Sequence, residues 1–179
     1  MNETPLEILF SALFVLLILS GFFSSSETAM MALNRYRLRH LAKTNRGARR
    51  AAKLLERPDR LIGLILIGNN LVNNAAAALA SLIALRLYGS AAVAVATFIL
   101  TLVMLIFAEV TPKTIAAYKP ETVAFRATWI LMPLMYVSYP LVWLVNVVSG
   151  VLVRLFGINP AKAREEALSA DELRTLMTA

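Results

Sequence analysis

Three polar clusters interrupt stretches that are otherwise apolar. They are Ser24-Ser-Ser-Glu27 just after Gly21, Gly68-Asn-Asn70 with Asn73 and Asn74, and Glu109 followed by Thr111-Pro-Lys113. Polar and ionisable groups at membrane depth are costly and mark function by default. The chemistry they offer is all oxygen. Ser hydroxyls, Asn carbonyl oxygens and a carboxylate are hard ligands suited to Mg²⁺ or Ca²⁺, and the chain has no Cys to recruit a softer metal. Asn69 and Asn73 are four residues apart and share one helix face, with Asn70 and Asn74 on the next. Pro112 has no N–H for the carbonyl of Ala108, which leaves a backbone oxygen beside Glu109. Gly21 and Gly68 permit close backbone approach.

The candidate metal ligands are therefore Ser24, Asn69, Asn73 and Glu109. Ser25, Ser26, Gly68, Asn70 and Pro112 are additional ligand or lining candidates, and Pro112 is also a candidate gating hinge. One formal charge among neutral ligands suits an ion that is taken up and released. The plainer alternative is that the Ser and Asn side chains only hydrogen-bond between helices. Lys113, one turn onward, is the expected partner of Glu109, while Glu27 is close enough to the interface to pair with the basic loop that follows.

The elements that carry these residues follow from charge and length. The chain of 179 residues is 59% hydrophobic and only 16% charged. Between Pro5 and Leu33 the charged residues are Glu7 and Glu27, and from Gly89 to Pro112 only Glu109. From Leu61 to Leu85 and from Thr128 to Val153 there are none. Each stretch reaches the roughly 20 residues needed to cross a ~30 Å hydrocarbon core. Backbone groups cannot go unpaired in lipid, so the segments should be helices. The expected fold is all-α and membrane-integral, with spans at about 6–33, 61–85 and 90–118, basic cytoplasmic helices over 34–58 and a broken segment over 127–156. The acidic N-terminus and missing cleavage site argue that the first span is a permanent helix, not a signal peptide.

Ten of the 18 Lys and Arg residues lie between Asn34 and Arg60. The positive-inside rule puts this loop in the cytoplasm and the N-terminus outside. The loop reads as interfacial helices broken near Gly47 and stopped before Pro58. Arg35, Arg37, Arg39, Arg49 and Arg50 are expected to face anionic lipid headgroups, and a nucleic-acid partner is not expected. Arg86 to Ser90 reads as a tight outer turn. Pro133 and Pro140 interrupt the fourth apolar stretch, which favours a bent or re-entrant segment and a cytoplasmic C-terminus over a straight fourth crossing. Residues 1–157 would form the transmembrane domain. Residues 158–179, with a capping box at Ser169-Ala-Asp-Glu172, would open a truncated cytoplasmic regulatory region.

Depth offers a consistency test. Counted from cytoplasmic ends at Leu33, Leu61 and Tyr118, Ser24, Asn69, Asn73 and Glu109 lie ~13, ~12, ~18 and ~13 Å into the membrane at 1.5 Å per residue.

Phe22-Phe-Ser24-Ser-Ser-Glu-Thr-Ala29, Ile67-Gly-Asn-Asn-Leu-Val-Asn73 and Phe107-Ala-Glu-Val-Thr-Pro-Lys-Thr114 together resemble the transmembrane domain of the CorB/CorC and cyclin-M (CNNM) family. Asn34-Arg-Tyr-Arg-Leu-Arg39 and Pro58-Asp-Arg-Leu61 are similar to its bacterial CorB branch. The resemblance covers nearly the whole chain. It implies a Mg²⁺ transporter of the bacterial inner membrane, exporting Mg²⁺ coupled to Na⁺ entry by alternating access. It also implies a homodimer formed through the transmembrane helices, and ATP-binding CBS modules in a cytoplasmic continuation. The family's cation-site positions fall on Ser24, Asn69, Asn73 and Glu109; Ser25 stands where many relatives have Gly.

Two other readings stay open: a Mg²⁺ sensor that moves nothing, and a passive divalent-cation channel. Ion choice among Mg²⁺, Ca²⁺ and Mn²⁺ is open on ligand type alone. An enzyme is not expected, since no nucleophile–base pair, phosphate loop or metal-hydrolase spacing occurs.

Overall fold

The first apolar stretch runs unbroken as α1, Leu6–Ala32, and its only acidic first-turn residue is Glu7. The computed structural model describes residues 5–155. Two short helices follow, α2 at Arg35–Leu41 and α3 at Arg46–Leu54. Then come α4, Pro58–Tyr88, and α5, Ala92–Val103. A π-helical segment, Met104–Val110, joins α5 to α6, Thr111–Tyr118. The described residues close with α7, Pro120–Val137, and α8, Tyr139–Leu155. All described regular structure is helical, as expected.

Among the described residues, three helices are long and apolar enough to cross a membrane: Leu6–Ala32, Pro58–Tyr88 and the continuous Ala92–Tyr118. Only 11–28% of their most apolar windows is buried within the protein. The outward faces carry Phe10, Phe14, Ile18, Phe98, Ile99 and Phe107, so these surfaces require lipid or a partner helix.

Three sequence expectations need correction. The second span extends beyond 61–85, because Pro58 sits at the first helical position with Asp59 behind it, and Gly89 ends the helix at φ 81°. The turn accordingly falls at Gly89–Ala91, not across Arg86 to Ser90. The basic loop is broken near Gly47 as expected, with α2 and α3 parted over 42–45. Asn45 starts α3 by accepting from Gly47 N and Ala48 N at 2.7 and 3.1 Å, and Asn34 starts α2 in the same way. Gly47 is also a packing position, where a Cβ would lie 2.7 Å from Phe125 Cβ. Finally, the fourth apolar stretch is broken as expected, at Ser138 just ahead of Pro140, but α7 begins at Pro120 and continues unbroken through Pro133. The expected regulatory start over 158–179, with its Ser169–Glu172 capping box, lies outside the described residues.

Among the described residues, those up to Ser138 form one compact unit and those of α8 another. The core of the first unit gathers Phe23, Ala29, Met30 and Leu33 from α1 and its end with Leu61, Ile65 and Val72 of α4. Ala48, Ala51 and Leu54 of α3 join Ala124, Ala127 and Leu131 of α7 in the same core. Arg50 fastens α3 to α7: its Nε–H donates to Thr128 Oγ1 at 3.0 Å and its guanidinium stacks 4.2 Å from the Trp129 ring. In the second unit, α8 exposes Trp143, Leu144, Val147 and Val148.

Candidate functional site

α1 sets Ser20, Ser24 and Glu27 at spacings of four and three, so the three share one helix face. The Ser20 hydroxyl donates to Asn73 Oδ1 at 2.7 Å and approaches Asn69 Oδ1 at 3.5 Å. One hydroxyl thus gathers the two amide oxygens that α4 stacks a turn apart. Each amide oxygen has two lone pairs, so this hydrogen bond leaves acceptor capacity for a cation. Gly68 lets α1 come this close: a Cβ there would lie 2.6 Å from the Phe23 ring.

Ser24 is 1% exposed, and among the described residues its Oγ is the buried side-chain polar atom left without a hydrogen-bond partner. An unsatisfied buried hydroxyl costs about 1–3 kcal/mol, so an oxygen held in this state is ready for a ligand. Its neighbours are spent differently. Ser25 and Ser26 donate to Phe22 O at 3.1 and 2.6 Å, and Thr28 donates to Ser24 O at 3.4 Å. Ser25 and Ser26 are thereby tied to their own helix. Thr97 and Thr101 are likewise bonded to the backbone one turn behind them.

The charged part of the site is built on the third span. Glu109 sits in the π segment, and Thr111 N–H reaches back five residues to Ile106 O. Pro112 has no N–H for either register, so Phe107 O and Ala108 O lose the donor that an ordinary residue would supply. Gly21 of α1 packs against this place, with a Cβ position 3.4 Å from Pro112 Cγ and 3.9 Å from Phe107 O. Helix α6 continues past Pro112 to Tyr118. Lys113 Nζ lies 3.5 Å from Glu109 Oε1, as expected, and 3.8 Å from Glu27 Oε2. Glu27 therefore turns to the third span rather than to the basic loop.

The structure joins Ser20, Asn69 and Asn73 directly, and joins Glu27, Lys113 and Glu109 directly. Ser24 stands between Ser20 and Glu27 on α1. Among the described residues, Glu109 pairs with Lys113 and not with the amides. Asn70 is exposed, and Gly68 directs its Cα face at Phe23. Two participants escaped the sequence reading. Ser20 could have been found by the depth rule, since it lies ~20 Å from Leu33 and Asn73 ~18 Å from Leu61. The π turn had no such signal.

Most of the arginines expected to face headgroups are engaged within the protein. Arg35 donates to Leu55 O, Arg37 pairs with Glu121 at 2.6 Å, and Arg49 donates to Ala42 O and Lys43 O. Arg50 holds Thr128, as described. Arg39 is exposed. Elsewhere, an apolar crevice of about 660 Å³ between α1, α4 and α5, lined by residues such as Leu17, Ala84 and Leu100, offers no charged group to a cation.

Among the described residues no three His, Cys, Asp or Glu side chains converge on a metal-binding arrangement. A cation bound here would rely on hydroxyl, amide and backbone oxygens with Glu109 and Glu27 as the available carboxylates. That donor set fits a hard ion.

The chain matches the family described as the cyclin M transmembrane N-terminal domain over residues 11–179. It is 55% identical over 160 residues to the UPF0053 inner membrane protein YfjD of Escherichia coli, covering 89% of this chain and 37% of that protein. It is 47% identical to a UPF0053 protein of Haemophilus influenzae, covering 99% of this chain and 42% of that protein. A more distant relative, the polyamine export protein of Haemophilus influenzae, is 29% identical over 94% of this chain and 42% of its own length. The chain thus spans about two fifths of the length of these relatives. With helices long enough for several crossings and this match over most of its length, the chain is a multi-pass membrane protein that belongs to the cyclin M (CNNM) transmembrane-domain family.

Proposed function

We propose that this chain is the membrane part of a Mg²⁺ transporter that exports Mg²⁺ across the bacterial inner membrane in exchange for Na⁺. The observation that carries the reading is the unpartnered Ser24 hydroxyl, set on α1 between the Asn69–Asn73 amides and the Glu109–Glu27 carboxylates. Glu109 supplies charge, and Ser24, Asn69 and Asn73 supply neutral oxygens. Ser20 holds the amides in place. The π turn and Pro112 form the part of the third span that rearranges during alternating access, because their backbone ladder is already irregular. The basic loop faces the cytoplasm and the N-terminus the outside. The exposed apolar helix faces support a homodimer within the membrane. ATP would act through a cytoplasmic region beyond this chain.

The test is Na⁺-dependent Mg²⁺ efflux from loaded vesicles containing the chain or its Glu109→Ala variant. The reading expects efflux from the parent and none from a folded variant. Unchanged efflux in the variant removes Glu109 from the site, and binding without any transport by the parent favours a sensor.

A second reading follows from the polyamine export protein among the relatives. Lys113 already places an alkylammonium between Glu27 and Glu109, so the carboxylates accept an amine. Spermidine efflux from the same vesicles, with none of Mg²⁺, would favour that substrate.

A further inference from the structure

The Lys113 ammonium lies 3.5 Å from Glu109 and 3.8 Å from Glu27, bridging the third span and α1, where Glu27 follows the unpartnered Ser24 by three residues. We propose that Lys113 is a tethered cation: it holds the two carboxylates while the site is empty and competes with the incoming dication for them. This rests on the cation-site reading above.

Charge decides the competition. Two carboxylates and one ammonium sum to −1. Adding a dication with Lys113 still in place gives +1, whereas adding it with Lys113 withdrawn gives zero. The neutral arrangement is preferred, so binding of the dication and retention of Lys113 oppose each other. The resident contacts are also loose. Tight charge-assisted hydrogen bonds measure about 2.7–2.9 Å, and both distances here are longer. The Lys113, Glu109 and Glu27 side chains are 38%, 48% and 29% exposed, so each pair is weak enough to be displaced. A route out exists. Lys113 is five residues from the end of α6 at Tyr118, ~7.5 Å along the axis, within reach of a lysine stem that extends to the interface. A permanent strong ion pair would block the site, and an unopposed carboxylate pair would hold the dication too long for turnover.

The experiment is Mg²⁺ titration by calorimetry of the full chain in nanodiscs, without Na⁺, for the parent, Lys113→Met and Lys113→Arg. Lys113→Met should lower the dissociation constant for Mg²⁺ about three- to tenfold, the combined size of two exposed ion pairs. Lys113→Arg keeps the charge and should stay near the parent. A staple that only holds the helices together predicts the opposite, unchanged or weaker binding in Lys113→Met, and that result overturns the proposal. A second measurement needs no variant. Amine-reactive labelling of Lys113 in the parent, read by mass spectrometry, should rise when Mg²⁺ is added; constant or reduced labelling overturns the proposal. A parent chain that binds no Mg²⁺ defeats the cation-site reading itself, whereas binding with an unaltered Lys113→Met titration defeats only the role of Lys113.

Discussion

Replacing Gly68 by Ala should destabilise the protein even though alanine is the better helix former. In a helix interior, Ala is favoured over Gly by about 0.8–1.0 kcal/mol. Against that, the new Cβ would sit 2.6 Å from both Cε1 and Cζ of Phe23. That is about 1 Å inside the ~3.5–4.0 Å optimum for carbon contacts. The ring has little room to retreat, because Phe23 is buried and its centroid lies 5.4 Å from that of Phe22. Overpacking of this kind costs about 1–3 kcal/mol, so the net loss should be about 1 kcal/mol. For a chain of this size that corresponds to a melting temperature lower by about 2–4 °C. Helical circular dichroism in detergent, followed during heating, measures it. The decisive comparison adds Phe23→Leu, which shortens the opposing side chain. Gly68→Ala should cost clearly less in the Phe23→Leu background than in the parent, by about 1 kcal/mol of coupling. A Gly68→Ala protein that melts higher than the parent, or additive effects in the double variant, would refute the close approach of α1 and α4 at this level.

Ser20→Ala removes the donor shared by Asn73 and Asn69, and should cost about 0.6 kcal/mol of stability, up to about 1.7. It should also weaken Mg²⁺ binding in calorimetry, since the amide oxygens lose their common anchor. Arg50→Lys keeps the charge but loses the planar stack on Trp129, and should destabilise by about 1 kcal/mol. Thermal melting and a changed Trp129 emission check it. Gly47→Ala should be worse than Gly68→Ala, because its clash at 2.7 Å is with Phe125 Cβ, which no side-chain rotation can move. Melting temperature and protease sensitivity of the α2–α3 loop read the outcome.

The spans were legible because charge is absent over runs longer than a bilayer needs, and lipid leaves helices as the solution. The polar layer was legible for the complementary reason: Asn69, Asn73 and Glu109 stand out against leucine and valine. Ser20 did not stand out, since a lone serine between Leu19 and Gly21 looks like a small packing residue. Its role depends on how α1 is rotated against α4, which periodicity does not specify. Glu27 shows the same limit, because its distance to the basic loop along the chain suggested one partner and helix packing selected Lys113. One breaker misled: Pro133 is accommodated within α7, whereas the breaks near Gly47 and ahead of Pro140 are real. The π turn is a choice of backbone register made by packing around Gly21 and Pro112, and no single residue type announces it.

A Mg²⁺-bound structure of the chain in a membrane mimetic tests the central claim most directly. The account predicts an ion held by Ser24 Oγ and at least one of the Asn69 and Asn73 carbonyl oxygens, with metal–oxygen distances of about 2.0–2.1 Å. An ion bound elsewhere, with Ser24 Oγ hydrogen-bonded to protein and neither Asn69 nor Asn73 touching the ion, would contradict it.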